Sequence, residues 1–247
     1  TLPDVALNMR RLQPFKALPG KSSIWYKQIG IGYTLSAKNV TTNSQPIIQA
    51  NGLEGKNQIV ELDFLNFDTY IKNSKNGIKH SIPLTLPSFK VMKYLTFTPT
   101  AKYNEYWYGK ELSYNRVDSL NQFAKTENDG FSRAYDYSTS LKFNTRLYGY
   151  LNVGRFGLQR IKQTMTPSVT YTYQPSFGDT TLFGSKFYQS VEDTFGNIKQ
   201  LSRYDRFVFG GPSLQKQQTL NFSISNMFEA KIKSKKQATY VAPTNQI

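Results

Sequence analysis

The chain of 247 residues has no cysteine, a single histidine and few acidic side chains, 16 Asp and Glu against 31 Lys and Arg. Each shortage excludes a class of chemistry. Without thiols there can be neither a disulfide nor a thiolate metal site, and one imidazole alone is a poor metal ligand set. Any Ser/His/Asp or Cys/His mechanism would have to pass through His80. Its neighbour Ser81 would point to the opposite face of a strand, and no nucleophile-elbow pattern surrounds either residue. Glu61 and Asp63 share a face only if their segment is a strand, and IVELDFLNFDTY (Ile59–Tyr70) fits neither a helical nor a strand period. No catalytic residue, metal site or cofactor is therefore expected.

Long apolar runs are also missing. No stretch approaches the roughly 18 consecutive apolar residues of a membrane helix. The opening TLPDVALNMRR has neither the basic start nor the apolar centre of a signal peptide. If the protein occupies a membrane, it must do so as a barrel, the other fold that satisfies backbone groups in lipid.

What the chain does have is aromatic weight, positive charge and alternation. Tyr and Phe number 17 each, although only 38% of residues are hydrophobic. Tyr suits positions half in an apolar phase and half in water. The net charge of +15 implies an anionic partner: nucleic acid, lipid headgroups or a phosphorylated glycolipid.

The clearest strand is TMTPSVTYTYQP (Thr164–Pro175), in which Met165, Pro167, Val169, Tyr171, Tyr173 and Pro175 alternate with Thr, Ser and Gln. Its prolines each remove a ladder donor, so they belong at strand ends or where pairing is interrupted. Ile24–Lys38, Ile78–Leu86, Lys93–Tyr108 and Thr219–Lys233 read the same way, and the alternation from Tyr135 through Val153 is the longest. That length exceeds the roughly 9–11 residues of a tilted transmembrane strand, whereas strands of soluble sandwiches are nearer five or six. Asn76-Gly77 is the strongest hairpin signal, Lys110–Ser119 reads as a return strand, and a polar loop closes at Asp129-Gly130. Asn39–Asn57 reads as a loop, Gly154–Gly157 as a turn, and Phe195-Gly196-Asn197 as a hairpin apex. About ten strands result. The expected fold is all-β, an antiparallel transmembrane β-barrel over residues 1–236, with a polar tail or loop at 237–247.

Nucleic-acid binding has the charge without the signature, because no zinc-finger, RNP-like or helix-turn-helix pattern occurs. The basic cluster Lys231, Lys233, Lys235 and Lys236 reads as a solvated strand end. A soluble carbohydrate-binding β-sandwich would also alternate, but strand length and aromatic weight favour the barrel. A porin-like channel remains open as an alternative within the barrel class.

Several motifs carry a family resemblance. NGIKHSIP (Asn76–Pro83), YNEYWY (Tyr103–Tyr108), FSRAYDY (Phe131–Tyr137), TRLYG (Thr145–Gly149), TPSV (Thr166–Val169) and GGP (Gly210–Pro212) resemble the barrel domain of the LptD family of lipopolysaccharide-assembly outer-membrane proteins, in a divergent branch. The resemblance spans about Leu2 to Lys236. It implies a bacterial outer-membrane barrel of roughly two dozen strands, so ten strands would form only part of the wall. It also implies partners: lipopolysaccharide, a plug lipoprotein inside the barrel, periplasmic lipopolysaccharide-bridge proteins and the surrounding outer-membrane lipid, but no nucleic acid. The family's periplasmic jelly-roll domain is not evident in the chain, and disulfide-controlled assembly cannot apply to a stretch without cysteine. Lys102, Lys142 and Arg146, on the polar faces of their strands, are the candidate cations for glycolipid phosphates, with ion pairing to Asp136 as the competing role.

Overall fold

In a computed structural model, which describes residues 4–22, 24–41, 44–49, 53–59, 63, 74–117, 122–155 and 157–232, the alternating stretches become one antiparallel sheet. Its strands are β1 (Asp4–Leu12), β2 (Gly30–Val40), β5 (Lys75–Thr85), β6 (Phe89–Val91), β7 (Leu95–Val117), β8 (Gln122–Asn144), β9 (Leu147–Asn152), β10 (Leu158–Gln174) and β13 (Gln217–Ile232). Two small hairpins lie outside it, β3 (Ser44–Ile48) with β4 (Glu54–Ile59), and β11 (Tyr188–Glu192) with β12 (Ile198–Ser202). The path across the sheet is β1-β2-β5-β7-β8-β10-β13, with neighbours in chain order pairing antiparallel. β6 continues the line of β5 along β7, and β9 continues β8 along β10 in an unbroken register, Asn144 opposite Ser168 and Leu147 opposite Met165. The sheet is open, with β1 and β13 at its edges, as in a segment of a larger barrel wall.

Period-two side-chain alternation, held in register across every ladder, gives the wall two unlike faces. On one, Leu7 meets Leu35, Ile82 meets Tyr103, Phe97 meets Phe143, Val169 meets Phe222 and Tyr171 meets Leu220. On the other, Thr34 meets Ser81, Lys102 meets Ser138, Thr100 meets Ser140, Ser168 meets Ser223 and Thr172 meets Thr219. An apolar outer face and a polar interior are the arrangement a bilayer demands. Phe97 and Trp107, both on the apolar face of β7, are ten residues apart. At about 3.3 Å per residue and a tilt near 40°, that separation covers about 25 Å of height, the depth of the apolar band between aromatic girdles. Phe89, Phe97 and Phe143 cluster at one level, and Tyr103, Trp107, Phe131 and Tyr135 at the other.

Proline breaks the ladder where the alternation is purest. Pro167 on β10 faces the gap between β8 and β9, where Thr145 N donates to the Pro167 carbonyl at 3.3 Å. Pro175 follows the last residue of β10, so Pro167 sits where the ladder toward β8 and β9 is interrupted while it stays opposite Ile224 on β13, and Pro175 sits at the strand end.

Several expected boundaries move. Asn76-Gly77 is no hairpin apex but lies inside β5, opposite Asn39 and Lys38. A side chain at Gly77 would place its Cβ 2.6 Å from the Tyr108 ring and 2.9 Å from Val208, so the glycine serves close approach rather than a turn. Lys110–Ser119 is no return strand: β7 runs on to Val117 through an irregularity between Tyr108 and Lys110. The polar stretch ending at Asp129-Gly130 likewise belongs to β8, paired with β7 as far as Gln122 opposite Val117; here only Leu112, Tyr114 and Ala124 are buried, under residues 175–216, so the local sequence carries little alternation to read. Trp25–Gln28 forms a 3-10 turn ahead of β2, where the Lys27 ammonium is enclosed by the Leu18 and Gly20 carbonyls. The expected loop over Asn39–Asn57 contains the β3–β4 hairpin. Most of Ile59–Tyr70 and the whole 237–247 tail lie outside the described residues.

Residues 175–216, between β10 and β13, fold back onto the ribbon formed by β7 and β8. The segment holds a four-residue helix, α1 (Thr180–Phe183), and the β11–β12 hairpin, whose apex falls at Phe195-Gly196-Asn197 as expected. With Tyr106, Tyr108 and Ala134 it forms the principal core, contributing Phe177, Phe187, Tyr188 and Tyr204. The Tyr108 hydroxyl donates to the Gly210 carbonyl at 2.7 Å, and Leu112 N donates to Arg203 O at 2.9 Å. Tyr106, Tyr108 and Ser132 stand on the polar face, so the segment covers that face. Phe177 and Phe187 also reach Tyr137 and Tyr135 where β8 extends past its pairing with β10.

Candidate transport face

Lys102 and Lys142 both stand on the polar face. Lys102 is opposite Pro83 on β5 and Ser138 on β8, and Lys142 is opposite Thr98 on β7 and Thr170 on β10. Cross-strand partner Thr98 is four residues from Lys102, so the two cations are roughly 13 Å apart along the strands and share a face without touching. Arg146 occupies the two-residue gap between β8 and β9, with its side chain exposed. The structure therefore puts Lys102 and Lys142 on one face, with Arg146 exposed just past the end of β8, and does not converge the three on one pocket.

The competing role for these cations, pairing with Asp136, is not what Asp136 does. Its carboxylate accepts from Asn104 Nδ2 and from the Tyr106 hydroxyl, each at 2.7 Å, and Asn104 Oδ1 accepts from Ser81 Oγ at 2.8 Å. Among the described residues, no acid lies within ion-pair distance of Lys102, Lys142 or Arg146. The polar face thus presents unpaired positive charge next to rows of Ser, Thr and Asn hydrogen-bonding groups.

Further cations belong to this face. Lys79 is opposite Ser36 and Tyr106, with its ammonium 5.3 Å from the Tyr106 ring centre, and Lys38 pairs loosely with Asp4 at 3.6 Å. Nearer the other end, Lys162 binds Glu229 at 2.9 Å and Arg160 is opposite Lys231. Lys38 already showed in the sequence at a polar position of an alternating strand. Lys79 did too, one residue out of phase with Ile78 and His80 in the alternating stretch Ile78–Leu86.

His80 lies on the apolar face, its Nδ1 2.7 Å from the Tyr33 hydroxyl and its ring 4.2 Å from that of Trp107. Ser81 points to the polar face. Among the described residues no group of three His, Asp or Glu side chains is placed to hold a metal ion. No helix among them is long and apolar enough to cross a membrane.

The open antiparallel wall, apolar outside and cationic inside, is matched over residues 1–247 by a family described as LptD protein. The chain belongs to the LptD family. LptD proteins act in lipopolysaccharide transport and belong to the bacterial outer membrane, which is the setting the two faces of this wall require. No curated protein and no solved structure matches the chain.

Proposed function

We propose that this chain forms part of the wall of an outer-membrane translocon, which accepts lipopolysaccharide from periplasmic bridge proteins and delivers it to the outer leaflet without breaking a bond. A plug lipoprotein would occupy the lumen on the polar side of the sheet. Lys102, Lys142 and Arg146 would meet the glycolipid phosphates through charge-assisted hydrogen bonds. The observation that carries the reading is the unpaired positive charge on the polar face, within a chain matched along its length by the LptD family. A soluble sandwich needs a second sheet over the apolar face, and among the described residues that face has none.

Orientation follows from the connections. At one end lie the links 13–29, 86–94 (which holds β6) and 153–157, and at the other the longer ones, 41–74 and 175–216, where the β7–β8 ribbon also projects. Barrels of this class keep short turns in the periplasm and long loops outside. The end carrying Trp107 is therefore assigned to the cell exterior.

The test is export of lipopolysaccharide in intact cells carrying Lys102→Gln, Lys142→Gln and Arg146→Gln together in the protein at its natural length. Reduced surface lipopolysaccharide at unchanged barrel abundance supports the reading. Unchanged export removes these three residues from the transport path.

A further inference from the structure

A groove of about 640 Å³ opens on the apolar face at the level of the exterior girdle. Ala37, Ile78 and Trp107 line its membrane-facing part, and Asn39, Asn76 and Phe131 its outer part. The cause is local. Gly109, at the irregularity in β7, and Gly130, with φ +148°, leave two gaps side by side in a row otherwise filled by aromatic and branched side chains. The Asn39 side-chain Oδ1 at its edge is enclosed and lacks a hydrogen-bond partner, and Asn39 and Asn76 are direct cross-strand partners. Buried polar atoms of this kind are ordinarily satisfied, so the pair of amides is poised for a ligand that brings donors and acceptors.

We propose that this groove holds one acylated sugar lipid of the outer leaflet, at the junction between its sugar and the base of an acyl chain. The proposal rests on the membrane placement and orientation given above. The groove is continuous with the lipid-facing surface, and its polarity changes in the direction the bilayer's does, from Ile78 and Ala37 toward the two asparagines. Trp107 and Phe131, edge to face at 6.0 Å and with Phe131 74% exposed, offer flat rings to the apolar face of a sugar. The amides of Asn39 and Asn76 suit neutral hydroxyl or amide groups rather than a phosphate. An ester-linked phospholipid would fill the apolar part but bring fewer hydrogen bonds to the asparagine end.

The experiment uses the protein at its natural length with its partners, in intact cells. Phe131→benzoylphenylalanine is irradiated and its adducts are separated into lipopolysaccharide and phospholipid. Leu141→benzoylphenylalanine, on the same face within the apolar band, serves as the reference. Gly109→Phe, whose Cβ has room at 3.8 Å from Asn76 Oδ1, fills the groove. Lipopolysaccharide adducts at position 131 that fall roughly tenfold with Gly109→Phe, as expected when about two methylenes lose contact, support the proposal. Adducts at Leu141 with only phospholipid or nothing at Phe131, or adducts at Phe131 indifferent to Gly109→Phe, overturn it while leaving the membrane placement intact. Absence of any lipid adduct at Leu141 overturns the placement and the groove together.

Discussion

The Gln189 side chain grips both backbone groups of Tyr114: its Oε1 accepts from Tyr114 N at 3.0 Å, and its Nε2 donates to Tyr114 O at 2.8 Å. The amide thus stands in for a missing strand along the free edge of β7, where β5 no longer pairs with it. The Tyr114 hydroxyl returns the contact by donating to Ser202 O at 2.7 Å, and burial, with Asp205 adding to it, pushes this phenol up to about 12.

Gln189→Ala should therefore loosen the outer part of the ribbon by about 1–3 kcal/mol, since two enclosed backbone groups lose their partners. Hydrogen exchange at Tyr114 and its neighbours would show the loss, while β2 and β5 amides stay protected. Unchanged protection at Tyr114 would mean water replaces the amide without cost.

Gly77→Leu should displace the Tyr108 ring, which lies 2.6 Å from where the new Cβ would be, and break its hydrogen bond to Gly210. Overpacking of this kind costs about 1–3 kcal/mol. The expected readout is faster proteolysis within 203–216 at unchanged barrel insertion.

The two faces make opposite demands on one substitution. Ala101→Arg, on the apolar face of the band, should destabilise the barrel by about 2–4 kcal/mol, whereas Thr100→Arg on the polar face should be nearly silent. Unfolding from lipid vesicles in denaturant measures both. Equal effects would refute the assignment of faces.

Asp193 gives a pH dependence. Its carboxylate accepts from the backbone of Asn197 and Phe195 and from the Asn197 side chain, with Lys199 nearby, and these hold its pKa below the usual carboxylate value. With the folded value depressed, the stabilisation is present above the unfolded pKa of about 3.9 and lost as pH falls through the folded value. Exchange protection of the Phe195 and Asn197 amides should decline below about pH 4 and be weak at every pH in Asp193→Ala.

Where one face of a strand meets lipid, the alternation was readable, as in β10 and β13, because a one-residue slip would turn Tyr171 or Phe222 inward. The outer ribbon was not, since Lys110–Val117 and Gln122–Gly130 are held by each other and by the 175–216 segment rather than by a uniform solvent on each side. Asn76-Gly77 misled for a related reason: the Tyr108 ring that demands the glycine lies 31 residues further on, beyond any local signal. Lys102 and Lys142 could be placed on the polar face from parity alone. Their lack of acidic partners could not, because Asp136 is claimed by Asn104 and Tyr106 from a neighbouring strand.

On the proposed orientation the ribbon of β7 and β8 would stand at the cell surface. Val117 lies ten residues beyond Trp107, so at the same tilt it would sit about 25 Å above the girdle. An antibody or phage approaching the cell would then meet the Val117 end and the β11–β12 hairpin, held to Arg116 through the Glu192 and Asp193 carbonyls, before the 203–216 stretch. Binding there would grip a rigid, hydrogen-bonded mast and leave the cationic face below untouched, so such a binder would recognise the protein without blocking transport.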